Sequence, residues 1–308
     1  HELHRMADAE AAWREVLAID PDHVEANSEL ARLLFRSDRK SDAIPSVLRL
    51  ISAGQATDLL ILLSRTAASA DDQRGLELAR AADPLDTRPL TGLALLASIQ
   101  GQSNEAIALL RQAIEIDSQD IVAHAALGRQ WLASGRVEQL AKWQQSLPQQ
   151  AELSSGVWIV LGKMADARSD REGAIRCYWE ACRIEPESRA ATSRLARLLA
   201  EAGRVDESQK FAERLRLLGM AVSTRDRIMF SGNSSDPGPI LELVRHLQEM
   251  GQFHEALGWC LYAAQRAPQS IEAGQMVERL QAETLPEKFQ RTADRFNVAL
   301  QIDLSDFP

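Results

Sequence analysis

Along most of the chain the apolar residues recur at spacings of three and four with polar residues between them, a pattern that predicts amphipathic helices. It is clearest over residues 155–188. There Trp158, Leu161 and Ala165 fall on one face of a first helix, and Ala174, Tyr178 and Ala181 on one face of a second. Gly162 leaves room between them for close approach. Ser169 followed by Glu172 predicts a capping box that opens the second helix, and Pro186 predicts its end. This reading makes Trp158 a core residue whose truncation costs roughly 3–5 kcal/mol.

The same unit recurs along the chain. Ala9, Trp13 and Val16 predict a second-type helix at the very start, as though the chain began in the middle of a unit. Leu30, Ala31 and Leu34 predict a first helix, followed by one that contains Ala43 and carries Pro45 in its first turn. A shortened pair covers 56–84, with Leu60, Leu63 and Ser64 inward. From residue 87 the period settles. Ala106, Leu110 and Ala113 precede Leu127, Gly128 and Trp131, and Leu161 and Gly162 follow Leu127 and Gly128 by 34 residues. Further stripes run through Leu195, Ala196, Leu199 and Ala212, and through Leu243, Ala256, Cys260 and Ala263. Gly101, Gly135, Gly203 and Gly251 stand between the paired helices, where a left-handed backbone favours glycine.

Two stretches depart from the pattern. Residues 220–239 are rich in Ser, Gly, Asn, Asp and Pro, which predicts a long irregular loop. Beyond a helix over 271–283, Leu285-Pro286 opens a last helix running to about Ala299, and Phe296, Val298, Leu300, Ile302 and Leu304 alternate as in a strand. Residues 302–308 read as an extended acidic and apolar tail. The expected organisation is a helical array over 1–219, an irregular loop at 220–236, further units over 237–283, and a capping helix with its tail over 284–308.

Trp158, Leu161, Gly162, Ala165, Ala174, Tyr178, Ala181 and Pro186, at these offsets and with the 34-residue period, resemble the tetratricopeptide repeat. The resemblance covers about 7–283. It implies an all-α fold, a right-handed superhelix of about seven helix pairs, because no single pair can bury its apolar stripes alone. It also implies a non-catalytic interaction scaffold whose concave wall is made of first helices. In such families ligand-facing residues come from the second, fifth, ninth and twelfth places of each repeat.

Carried onto this sequence, the ninth place gives Arg32, Arg65, Leu95, Arg129, Lys163, Arg197 and Arg245. Six of the seven are basic in a chain of net charge −9, and Arg194 stands one turn before Arg197. The neighbouring places add Ile159, Leu241, Phe35 and Leu132 as apolar spots. The expected site is therefore a basic groove of Arg32, Arg65, Arg129, Lys163, Arg194, Arg197 and Arg245 with Ile159 and Leu241 between the charges. The carboxylate clamp of chaperone-binding relatives is not implied, because its asparagines are missing.

Composition narrows the function classes. With 45% hydrophobic and 26% charged residues the chain has material for an extended core, and its acidic balance argues against a nucleic-acid partner. No stretch reaches the ~20 apolar residues of a membrane span. Arginine is abundant while lysine occurs only at 40, 142, 163, 210 and 288, as in GC-rich bacterial genomes. Cys177, Cys182 and Cys260 form no Cys-x-x-Cys pair and read as buried thiols. His254-Glu255 has Gly258 where a zinc helix needs its second histidine; His1 and His4 lack a third ligand, and His124 sits at a core place. No phosphate loop or nucleophile elbow occurs. We expect no enzyme activity, no cofactor and no metal.

The expected partner is a protein or peptide segment of acidic and apolar character, held by guanidinium–carboxylate contacts. The tail at 302–308 has that character, so self-association through it is a further expectation. The alternative is a targeting or assembly module of a larger polypeptide whose catalytic or β-rich domain lies outside these residues. The sequence assigns no compartment.

Overall fold

The computed structural model describes residues 5–37, 39–53, 70–230 and 236–283, which contain fifteen α-helices, one short 3-10 turn and no strand. The fold is all-α, as the periodicity predicts. Successive first and second helices are Val24–Arg36 and Lys40–Ser52, Arg88–Ile99 and Ser103–Ile116, Ile121–Ala133 and Val137–Gln145, and Ser155–Ala167 and Arg171–Ile184. Arg189–Glu201 with Val205–Phe230 and Gly238–Glu249 with Phe253–Arg266 follow. Met6–Ile19, Ala70–Ala82 and Ile271–Glu283 complete the set.

The chain divides into two compact units. Among the described residues one holds 5–43 and 70–185, the other 44–53 and 186–283. This division falls at 185/186, where the sequence pattern is continuous. In the first unit one core joins Leu90, Ala94, Ile107, Leu110, Ala123 and Leu127, and another joins Ala125, Leu140, Trp143, Val157, Val160 and Met164. In the second unit Leu195, Leu199, Phe211, Leu243, Leu247 and Trp259 are buried.

Three of the first helices start under Asp or Ser side-chain caps, because the first N–H groups of a helix have no partner within it, while Arg88–Ile99 and Gly238–Glu249 carry a proline in the first turn instead. Asp120 accepts from Ala123 N–H, Ser154 from Val157 N–H and Ser188 from Ala191 N–H. Gly101, Gly135, Gly203 and Gly251 all have positive φ, as their place between helices predicts. Ser169, 34 residues after Gly135 and 34 before Gly203, has φ 61°. It does not cap the second helix, as expected from Ser169 and Glu172. Asp170 does, accepting from Gly173 N–H at 3.0 Å. The left-handed turn takes precedence, and a capping residue needs extended backbone that Ser169 does not have.

Other expectations also change. Pro45 lies inside Lys40–Ser52 rather than in its first turn, so one backbone bond of that helix is missing. The loop expected from Met220 does not begin there: the helix runs on to Phe230 because Leu218, Ala221, Thr224 and Ile228 continue a buried stripe through the polar composition. Residues 231–235, which carry the rest of that loop, lie outside the described residues, as do 284–308 with the capping helix and tail. Trp158 is half-buried, with its indole N–H donating to the Glu152 carbonyl at 2.9 Å. Trp143, 2% exposed on the preceding second helix, is sealed in the core where Trp158 is not.

Candidate interaction surface

Each first helix buries one stripe and turns another outward. In the first unit Ala123, Leu127 and Gly128 of Ile121–Ala133 face inward, which leaves Arg129 exposed. Gly128 allows this packing because the Trp143 ring fills the space of a side chain: a Cβ there would lie 2.6 Å from Trp143 Cζ2. Gly162 repeats the device, its Cβ position 3.0 Å from the Tyr178 ring. Lys163 and Ile159 on the same helix are half-buried. Gly156 lies beside Arg129, whose Nη1 would be 3.5 Å from a Cβ there, and closer to Ala125 Cβ at 3.2 Å. No carboxylate forms an ion pair with Lys163 among the described residues. Half-buried Leu132 and Ile159 supply the apolar component.

In the second unit Ala191, Leu195, Leu198 and Leu199 fix the inward face of Arg189–Glu201 and expose Arg194 and Arg197. Arg197 donates to Glu201 Oε1 at 2.6 Å, and Arg245 to Glu272 Oε1 at 2.6 Å. Arg32 in the first unit lies 4.0 Å from Glu29. These carboxylates are absent from the row of ninth places but stand one turn away or on the next helix, so they offset much of its charge. Leu241 is 2% exposed and belongs to the core, because its place is turned inward on Gly238–Glu249; it is no apolar spot on the surface. Arg65 lies outside the described residues. Because the residues divide between units, Arg129 and Lys163 belong to one and Arg194, Arg197 and Arg245 to the other.

The sequence reading missed a polar centre in the first unit. Glu10, 1% exposed, accepts from Arg39 Nη1 at 2.9 Å and from Arg88 Nε at 2.7 Å, and pairs with Arg14. Asp86 accepts from Arg88 Nη1 at 2.9 Å and from the Ala7 N–H at 3.0 Å. Burial alone would raise the Glu10 pKa, but the charges of Arg39, Arg88 and Arg14 hold it below the ordinary glutamate value. A cavity of about 350 Å³ adjoins this centre, bordered by Ala7, Arg39, Leu85, Arg88, Thr91 and Val122. The available signal was a charged residue on an apolar face, four places after Met6 and three before Trp13.

The three cysteines are free thiols, and burial foremost pushes Cys177 up to about 11 and Cys260 up to about 12, far from a reactive thiolate. His124 is 2% exposed, its Nε2 lying 3.1 Å from the Ser118 carbonyl, and burial lowers its pKa. Among the described residues no cluster of ligands fit for a metal occurs, and no helix is long and apolar enough to cross a membrane.

Comparison with known proteins adds the family. Peroxisomal targeting signal receptors of Komagataella phaffii and Komagataella pastoris are 24% identical over 212 residues, 66% of this chain. That match spans 32% of their own length. Among solved structures, the APC/C hetero-tetramer Cut9-Hcn1 is 17% identical with a TM-score of 0.48, covering 90% of this chain and 52% of its own. The pilF protein of Pseudomonas aeruginosa is 14% identical with a TM-score of 0.42, covering 78% and 96%. Family models of the tetratricopeptide repeat match residues 2–57 and 88–120. The second match coincides with the helices Arg88–Ile99 and Ser103–Ile116 and the turn at Gly101. With the 34-residue period, the left-handed turns and the paired helices, the chain carries tetratricopeptide repeats, the repeat of protein-interaction scaffolds.

Proposed function

We propose that the first-helix face of the first unit binds a protein segment of acidic and apolar character, with Arg129 and Lys163 receiving carboxylates and Ile159 and Leu132 the apolar side chains. The observation that carries this reading is the recurrence of a cation, 34 residues apart, on outward faces of Ile121–Ala133 and Ser155–Ala167 with half-buried apolar residues beside it. Guanidinium–carboxylate contacts supply orientation, and the apolar spots supply area. Arg194, Arg197 and Arg245 form the corresponding candidates in the second unit. There Arg197 donates to Glu201 and Arg245 to Glu272, carboxylates that compete with any ligand. Arg32 faces similar competition from Glu29. The name of the curated relatives, targeting signal receptors, is in keeping with a repeat face that reads a peptide.

The protein acts here as a scaffold without catalysis. A second reading is a targeting or assembly module that positions another part of a larger polypeptide. The tail at 302–308 lies outside the described residues and has the pattern this face would accept, so tail-mediated self-association belongs to the same proposal. Light scattering with and without residues 301–308 tests it, and equal monomeric mass over a wide concentration range refutes it.

Selection from an unbiased displayed-peptide library tests the main reading. The expected result is enrichment of Asp/Glu-rich segments with interspersed apolar residues, lost in Arg129→Glu/Lys163→Glu at unchanged helicity and weakened by salt. Enrichment that survives the double substitution refutes the site.

A further inference from the structure

The cavity of about 350 Å³ in the first unit has a border of mixed charge. Besides Arg39 and Arg88 it includes Asp83, Asp86, Asp117 and Asp120. The two arginines are already matched: Arg39 donates to Glu10 and Asp42, and Arg88 to Glu10 and Asp86. Asp120 caps the positive end of Ile121–Ala133, accepting the Ala123 N–H at 2.9 Å. Asp83 and Asp117 have no such offset. The carboxylate of each accepts only a backbone N–H among the described residues, from Leu85 at 3.2 Å and from Gln119 at 2.9 Å.

Two features independent of these carboxylates point the same way. Asp83 and Asp117 directly follow Ala70–Ala82 and Ser103–Ile116, so the negative ends of two helix dipoles border the cavity. Thr91, 4% exposed, gives its hydroxyl proton to the Arg88 carbonyl at 2.9 Å, and no donor among the described residues reaches its oxygen. An ammonium or guanidinium group answers all of this: it compensates the two carboxylates and the helix ends, and it donates to the hydroxyl oxygen. Leu85 and Val122 give its aliphatic stem apolar walls.

The cavity shares a helix face with Arg129. Val122, in the cavity wall, and Arg129 are seven residues apart on Ile121–Ala133, two turns along one face and a rise of about 10 Å at ~1.5 Å per residue. An extended segment covers that distance in about three residues. We propose that the cavity takes a lysine or arginine side chain of the bound segment, so that the ligand carries a cation about three residues from the carboxylate held at Arg129. This rests on the reading of Arg129 and Lys163 as a peptide site and adds the charge pattern of its ligand.

Four peptides, acetylated and amidated at their ends, test it by isothermal titration calorimetry on the full chain. Lys-Gly-Gly-Asp-Leu-Asp-Leu and the same residues in reverse order cover both chain directions, and norleucine replaces lysine in the two controls. In at least one direction the lysine peptide should bind at least ~10-fold more tightly than its control. Asp83→Asn/Asp117→Asn should remove that advantage and leave the affinity of the control unchanged, because an asparagine oxygen still accepts the two backbone N–H groups. Arg129→Glu/Lys163→Glu should weaken all four peptides. Controls that bind as tightly as the lysine peptides in both directions, or an advantage that survives the asparagine pair, overturn the cavity assignment and leave the peptide site standing. Absence of binding by every peptide, controls included, overturns both readings. Spermidine titrated alone identifies the source of the ammonium group: an affinity equal to that of the lysine peptide assigns the cavity to a free amine and overturns the proposal.

Discussion

The pairing of Gly128 with Trp143 offers the most demanding test of the packing. Trp143 is 2% exposed, its indole N–H donates to the His124 carbonyl at 3.0 Å, and its ring occupies the place of a side chain at residue 128. Truncation in Trp143→Ala removes on the order of 200 Å² of ring surface from the core, worth about 5 kcal/mol at ~25 cal/mol per Å². Partial collapse of the helix bearing Gly128 brings the expected loss to about 3–5 kcal/mol. Trp158→Ala, at a half-buried ring, should cost about 2 kcal/mol. Gly128→Ala alone places a Cβ 2.6 Å from a ring that is pinned by its hydrogen bond. The overpacking, roughly 1–3 kcal/mol, outweighs or matches the gain of about 1 kcal/mol from replacing glycine in a helix. In the Trp143→Ala background the clash is gone and the same substitution should stabilise by about 1 kcal/mol. Urea unfolding followed by circular dichroism on the four chains gives the cycle, with hydrogen exchange to assign the transition to the first unit. An effect of Gly128→Ala that is the same in both backgrounds refutes the contact, as does a Trp158→Ala loss equal to that of Trp143→Ala.

Glu10 makes the first unit sensitive to acid. Its folded pKa lies below the ordinary value of 4.5, so its stabilising contribution is present above about that pH and is lost as pH falls through the folded value. Glu10→Gln should therefore be less stable than wild type at pH 7, with the difference in urea midpoint narrowing at pH 4 and below; a constant difference would contradict the ion-pair account. At Ser169, φ 61° places a side chain in the left-handed region, so Ser169→Gly should raise stability by about 0.5–1 kcal/mol in thermal melts. Gly135→Ser, at φ 66°, should lower it by a similar amount, and effects of the opposite sign would contradict the turn geometry.

The sequence by itself determined the helices, the 34-residue period and the left-handed turns, because these depend on contacts three or four residues apart and on the special freedom of glycine. The place of Ser169 was legible in the same way, through its spacing from Gly135 and Gly203, had the period been weighed above the local capping pattern. The long helix through Met220 was less so, since its buried stripe of Leu218, Ala221, Thr224 and Ile228 runs under a composition that favours loops. Tertiary structure alone decided that Trp143 rather than Trp158 is sealed in the core, because both lie on helical stripes and only the neighbouring helix, with its missing side chain at Gly128, selects between them. It also decided the electrostatics of the candidate site. A basic row can be read from one repeat position, but Glu272 reaches Arg245 from the next helix, and Glu10 meets Arg88 across 78 residues of chain. Charges act through space rather than along the sequence, and no periodicity encodes which distant carboxylate a guanidinium will meet.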